Sequence, residues 1–412
     1  MKSNFDSEIE SRILSKEFDT DPYETLKLMR KEAPIFWSES MGGWLITRYE
    51  DVIKTFKDTE DFGNAGRLGK AAEYLPASSR ERLSEFSKHY ETIGLLHSDA
   101  PEHSRLRGLV VKAFNPAAIR AMKPRIQAIV DQILDDAAAK GEMEVIGDLA
   151  WGLPSTVLAD LLDAPVESRM QFKTWADDLL AFQGSNRPTE EVLLKTQDAL
   201  VSSKEYLTNL ISERRKNPGE DLLSLLVLAE SEGDKLTHEE LLNTCITLLA
   251  AGQETTTALI GNMLLILLQD PSLLSQIRED PSLIPGAIEE IVRFESPIPR
   301  QPRLIRRDLL IDGIELKAGQ IAFQMLNSAN RDSDFFEDPD SVNFRRQANK
   351  HLGFGLGAHY CVGAPLSRIE ATIVLESLIE RFGEIRLLSK EIKWNTTKRN
   401  SRVLESLNIS LG

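Results

Sequence analysis

Two stretches of this sequence hold side chains whose types and spacing could do redox chemistry. The first is His351-Leu-Gly-Phe-Gly-Leu-Gly-Ala-His-Tyr-Cys361-Val-Gly-Ala-Pro-Leu-Ser-Arg-Ile-Glu-Ala371, a glycine-rich loop with a cysteine at its end. A helix is predicted to follow, because Pro365 suits a first helical turn and Leu375, Leu378, Ile379 and Phe382 recur at helical spacing. Cys361 therefore precedes a helix N-terminus, where free N–H groups and aligned dipoles stabilise a thiolate. Gly353, Gly355, Gly357 and Gly363 leave room for a flat ligand. A thiolate so placed could ligate an iron whose other face is open. The second stretch is Ala250-Ala251-Gly252-Gln253-Glu254-Thr255-Thr256. It lies midway along a helix predicted from a capping box at Thr237 and Glu240 to Gln269 before Pro271. That helix would be ~48 Å long at 1.5 Å per residue. A buried acid beside a hydroxyl is costly and needs a reason. Thr255 could back-bond to the Ala251 carbonyl, and the acid–alcohol pair could supply protons to a bound oxygen species.

The elements that must position these residues give a consistent picture. Phe354-x-x-Gly357-x-His359-x-Cys361-x-Gly363 resembles the haem-binding signature of the cytochrome P-450 family, the haem-thiolate monooxygenases. A lone cysteine is more often plain core, but five matched positions at fixed spacing outweigh that. The resemblance implies a mainly α fold with a small β part, a triangular helical domain whose long central helix crosses over haem b. It implies one domain over residues 1–412, with β-rich parts at about 35–60 and 298–325. Cys361 would be the axial thiolate and sole metal ligand, Thr255 and Glu254 the proton-handling pair, and Ala251 a contact on the haem's open face.

Further motifs fall in the family's order. His103 and Arg107 lie at i and i+4 after Pro101. Alone they would read as a solvated basic face; the resemblance makes them haem-propionate ligands, with Arg303 as a third. Glu290 and Arg293 alone would be an ordinary helix ion pair, and the resemblance buries them with Arg346 as a structural brace. Ile298 and Pro299, Phe182 in a lid helix over 170–184, and Asn400 and Ser401 are the expected substrate contacts. Residues 62–96 read as a segment capping the pocket, or equally as an ordinary surface loop. Asp312-Gly313 reads as a hairpin turn.

Composition sets the bounds. The chain has 412 residues, 42% of them hydrophobic, enough for a sizeable core. A net charge of -15 disfavours nucleic acid as a partner. Two cysteines, Cys245 and Cys361, build no disulfide framework. That usage fits a reducing cytosol. No apolar leader or membrane span is evident, so a cytoplasmic, membrane-free monomer is expected. The resemblance further implies O2, a small organic substrate, and electrons from NAD(P)H through a reductase and a ferredoxin or flavodoxin. Arg105, Lys112, Arg120, Lys123, Arg125, Arg345, Lys350 and Arg368 are the expected docking patch. Hydroxylation or epoxidation is the expected reaction, in tailoring of a polyketide, fatty acid, terpenoid or peptide. A peroxide-driven peroxygenase and a non-catalytic ligand sensor are the rivals, and the intact acid–alcohol pair speaks against both.

Overall fold

The central helix spans His238–Gln269, 32 residues, and it organises the rest. Thr237 caps it through its hydroxyl, which accepts from Glu240 N, while the Glu240 carboxylate accepts from Thr237 N. Most of its residues are buried on all sides, as a helix enclosed by others requires. It ends at Asp270, where Pro271 starts a new helix. The computed structural model describes residues 4–184, 188–219, 221–231, 236–398 and 400–412. Helices Arg169–Ala181, Gly152–Leu161, Glu190–Lys216, Ile284–Phe294 and Ala364–Arg381 pack against the central one. Among the described residues no single helix is long and apolar enough to cross a membrane. The central helix and Pro271–Glu279 reach that length only as a pair bent by 99°.

A five-stranded sheet lies in the order Ile35–Ser38, Gly43–Ile46, Ile321–Gln324, Gln301–Ile305, Phe62–Gly63. Ile35 pairs with Ile46 across the first hairpin, and Gly43–Ile46 runs parallel to Ile321–Gln324. Ile35–Ser38 is a strand in which Ile35 and Phe36 are buried. Pro302 suggests an edge strand, yet Gln301–Ile305 has neighbours on both sides. The conflict resolves because Phe62–Gly63 pairs only with Ile305 and Leu304, leaving Pro302 beyond its end. The hairpin at Asp312-Gly313 forms as expected, with positive φ at both residues. A second sheet joins Glu142–Glu144, Asn408–Leu411 and Ile385–Leu387. It has no counterpart in the sequence reading: strands of three or four residues carry almost no periodicity.

The sequence reads as helical from Ala117 to about Gly233, with Pro154 marking a break between helices; the strand Glu142–Glu144 interrupts that run, and Gly233 lies outside the described residues. One helix ends at Ala150 and the next spans Gly152–Leu161, with Pro154 in its first turn, where its missing N–H costs nothing. The segment 62–96 is more ordered than a loop, with helices at Ala77–Glu81 and Ser84–Glu91 whose Phe86 and Tyr90 enter the main core.

Candidate active site

The cysteine loop is shaped by backbone geometry. Gly355 and Gly357 take φ of 74° and 72°, where a side chain would be strained. A Cβ at Gly353 would come within 2.4 Å of the Val292 side chain. Cys361 N donates to Phe354 O at 2.9 Å and closes the loop. The helix Ala364–Arg381 then begins with Pro365 in its first turn. Burial pushes the Cys361 thiol up; the N–H groups of Gly363 and Ala364, then Arg107 and Arg368, pull the other way without reversing it. The expected helix-terminus stabilisation is present, but burial outweighs it. A metal ion bound by Cys361 would strip the proton outright. Arg368 lies over the Phe354 ring at 4.4 Å and donates to Glu289 at 2.5 and 2.8 Å. Burial opposes ionisation of Glu289, yet Arg368 and His351 hold it down at about 2.

A cavity of about 340 Å³ separates this loop from the central helix. Phe354, His359, Cys361 and Gly363 line it from one side, and Ala251, Gly252, Glu254 and Thr255 from the other. A Cβ at Gly252 would meet nothing within 4 Å, so the helix backbone is open to a ligand there. Thr255 Oγ1 donates to Ala251 O at 2.9 Å, as its position predicts. Glu370 lines the same cavity, is pushed up to about 8 by burial, and leaves Oε2 without a partner.

Glu254 has its reason for burial in residues the sequence does not associate with it. Lys398 Nζ donates to Glu254 Oε2 at 2.6 Å, and Ser401 Oγ donates to Oε1. Lys398 also reaches Asp177 at 2.9 Å on helix Arg169–Ala181. One cation thus ties the central helix, that helix and the C-terminal turn. Lys398→Met should cost about 2–3 kcal/mol, because it strands a buried carboxylate. Urea unfolding of Lys398→Met, Glu254→Gln and the double variant checks this: the double variant should lose less than the two single losses added together. Strict additivity would mean the pair is uncoupled.

The polar edge of the cavity carries the cations. Arg107 and Arg303 both line it. Arg107 donates to Tyr360 O at 2.5 Å, and Arg303 to Pro302 O at 2.9 Å. His103 is one layer back, stacked on His359 at 3.8 Å between ring centroids, with Nε2 buried and unpartnered. Its pKa is lowered to about 4 by burial, then by His359 and Arg107. A neutral imidazole still offers one N–H, so His103 serves the motif as a donor rather than as a cation. Burial works against ionisation of Asp99; His359, the N–H groups of Ala65 and Asn64, and Arg306 overcome it and hold the carboxyl below its usual range. A flat ligand bearing two carboxylates fits this site. Glycines clear the face, a cysteine lies beneath, and Arg107, Arg303 and the orphaned His103 Nε2 await acceptors at the edge. Gly357 does not line the cavity; its part is the positive φ.

The expected substrate contacts divide. Ile298 and Asn400 line the cavity. Pro299 does not; its carbonyl accepts Asn327 N. Ser401 is held on Glu254 instead. Phe182 turns into the core against Phe86 at 5.2 Å and Tyr90 at 5.3 Å, while its neighbours Leu180 and Gln183 line the cavity. Helical spacing marks a buried face but not which core it faces. The brace forms as a unit. Arg293 donates to both Glu290 oxygens at 2.8 Å, and Arg346 Nε to both at 3.1 Å.

A family model described as "Cytochrome P450" matches residues 68–411. The chain is 38% identical to cytochrome P450 107B1 of Saccharopolyspora erythraea, covering 92% of each. It is 35% identical to the polyketide biosynthesis cytochrome P450 PksS of Bacillus subtilis, over 96% of this chain and 97% of that one. Among solved structures, P450BioI in complex with hexadec-9Z-enoic acid ligated acyl carrier protein superposes with a TM-score of 0.87 at 34% identity, over 96% of this chain and all of that one. Fold, motif geometry and relatives agree: this chain belongs to the cytochrome P450 family.

Proposed function

We propose that this chain is a haem-thiolate monooxygenase that hydroxylates or epoxidises an organic substrate. Hydroxylation balances as RH + O2 + two electrons + two protons giving ROH + water. The observation that carries this reading is one cavity with Cys361 on one wall and Thr255 with Glu254 on the facing wall. Haem, when bound, supplies the O2 chemistry. Cys361 would ligate its iron, and His103, Arg107, Arg303 and His359 would take its carboxylates. Phe354 and Gly363 would pack beneath it and Ala251 above it. Thr255 would hold a proton at Oγ1, close to the open face, and Glu254 would feed that hydroxyl after release from Lys398.

The lining beside Thr255 is mostly apolar, including Leu95, Val157, Leu158, Leu180 and Ile298, which suits an aliphatic substrate. The polyketide name of one relative and the fatty-acyl ligand of another favour an acyl or polyketide chain here. Electrons would come from NAD(P)H through a ferredoxin or flavodoxin. The expected docking patch is smaller than its residue count. Arg105 pairs with Glu240, Arg125 with Asp160, Arg345 with Asp280 and Arg368 with Glu289. Exposed Lys112, Arg120, Lys123 and Lys350 lie outside these pairs and would carry the attraction.

Thr255→Ala tests the reading. The variant should bind haem and substrate as the parent does, yet release most of its electrons as hydrogen peroxide. A placed proton donor is typically worth ~100-fold or more in rate. Product and peroxide formed per NADH, with surrogate ferredoxin and reductase, give the answer. Equal coupling in both proteins would remove Thr255 from the proton path.

A further inference from the structure

Arg67 lines the same cavity as Cys361 and Thr255. It makes no side-chain hydrogen bond or ion pair among the described residues, and its Nε is wholly buried without a partner. Arg67 is half-buried at the cavity wall. The ionisable groups acting on it are Arg303 and Tyr90, and it in turn bears on His97; none is a carboxylate. Asp99, which holds the turn just before Arg67, is already engaged by Asn64 N at 2.9 Å, Ala65 N at 2.7 Å and Arg306. Those bonds fix the turn that carries Arg67, whose own N–H donates to Asn64 O. Arg67 is thus held at the cavity wall, next to a second cation, with no carboxylate among the groups acting on it. A buried charge left so costs several kcal/mol unless a ligand neutralises it.

We propose that Arg67 binds a carboxylate inside this cavity. Two sources could bring one: the organic substrate or the edge of the haem. Arg107, Arg303, His103 and His359 would already take the haem's carboxylates, so the geometry favours the substrate. A planar guanidinium takes a carboxylate in a two-point contact, and would orient an acyl chain with its acid end at Arg67 and its chain along the apolar wall toward Thr255.

This inference rests on the haem-protein reading, and one set of measurements separates the two. Haem-loaded wild type, Arg67→Leu and Arg67→Lys are titrated with dodecanoic, tetradecanoic and hexadecanoic acids and with their methyl esters, following the Soret shift. Wild type should bind at least one acid about tenfold or more tighter than its ester, since a charge-assisted pair is worth that much. The preference should vanish in Arg67→Leu and return in part in Arg67→Lys. Haem transfer to apomyoglobin is measured on the same proteins. A wild-type transfer rate in Arg67→Leu together with the lost acid preference assigns the substrate's carboxylate. Transfer faster by about tenfold or more assigns the haem's carboxylate, on the same energetic scale. If Arg67→Leu changes neither the acid-to-ester ratio nor the transfer rate, or if wild type binds no acid and transfer is unaffected, the proposal is overturned. The reduced carbon monoxide spectrum of each protein reports Cys361 ligation independently of all these outcomes.

Discussion

Cys361→His should move the reduced carbon monoxide band from the thiolate position characteristic of the family to the histidine-ligated position, and coupled turnover should fall below detection. The substitution is local. Cys361 is only half-buried and borders the cavity, so an imidazole has space to enter it. The loop's closure depends on the backbone bond from Cys361 N to Phe354 O, which any residue here except proline keeps. What changes is the ligand. A thiolate pushes electron density onto iron and favours O–O cleavage, which a neutral imidazole does not. Cys361→Ser gives a second reading with almost no change in volume. Its hydroxyl is a poorer anion than the thiol, so haem retention and the band should both suffer. Cys245 offers no substitute: it is fully buried in the central helix and its thiol is pushed up to about 12 by burial. An unchanged spectrum in Cys361→His would show that another residue ligates the iron.

The parts of this site that lie close together in sequence were legible, because their chemistry depends on spacing alone. The Phe354–Gly363 loop, the Thr255 back-bond to Ala251 and the Glu290–Arg293 pair are fixed by loop length or by helical period. The capping box at Thr237 is of the same kind. What the sequence concealed are the long-range meetings. Nothing in the composition of Lys398-Arg-Asn400 says that Lys398 will cross to Glu254 and Asp177. Nothing near His103 says that it will stack on His359 and lose its charge. Arg368 and Arg125 looked like surface cations and prove to be ion-paired. An amphipathic pattern reports that a face is buried, not against which partner. Phe182 was therefore given to the cavity when it belongs to the core, and three short strands at 142–144, 385–387 and 408–411 left no trace at all.

Glu290→Ala should be the most destabilising single substitution away from the cavity, with little haem-loaded protein recovered at 37 °C. Glu290 and Arg293 are fully buried. The carboxylate accepts from Arg293, Arg346, Asn343 N and Asn349 Nδ2. Arg293 in turn donates to Asn330 O at 2.8 Å, Pro339 O at 2.7 Å and Ser341 O at 2.9 Å. Asn330 Oδ1 then accepts Leu352 N at 2.7 Å, one residue before the glycine loop. Removing the carboxylate leaves Arg293 and Arg346 with carbonyl acceptors but no counter-charge, and takes the acceptor from Asn343 N and Asn349 Nδ2. Breaking a buried pair this way costs about 3–5 kcal/mol, a large share of the ~5–15 kcal/mol that holds a folded protein together. Because the cluster feeds directly into Leu352, the loss should appear as loosened haem as well as a lowered denaturation midpoint. Glu290→Gln keeps the shape and two of the acceptor sites but no charge, so it should fall between wild type and Glu290→Ala. Glu50→Ala, at an exposed position, should stay within about 0.5 kcal/mol of wild type. Urea midpoint and haem content per chain are the measurements. If Glu290→Ala matches wild type in both, Glu290 does not brace the cysteine loop, and the loop owes its shape to its glycines alone.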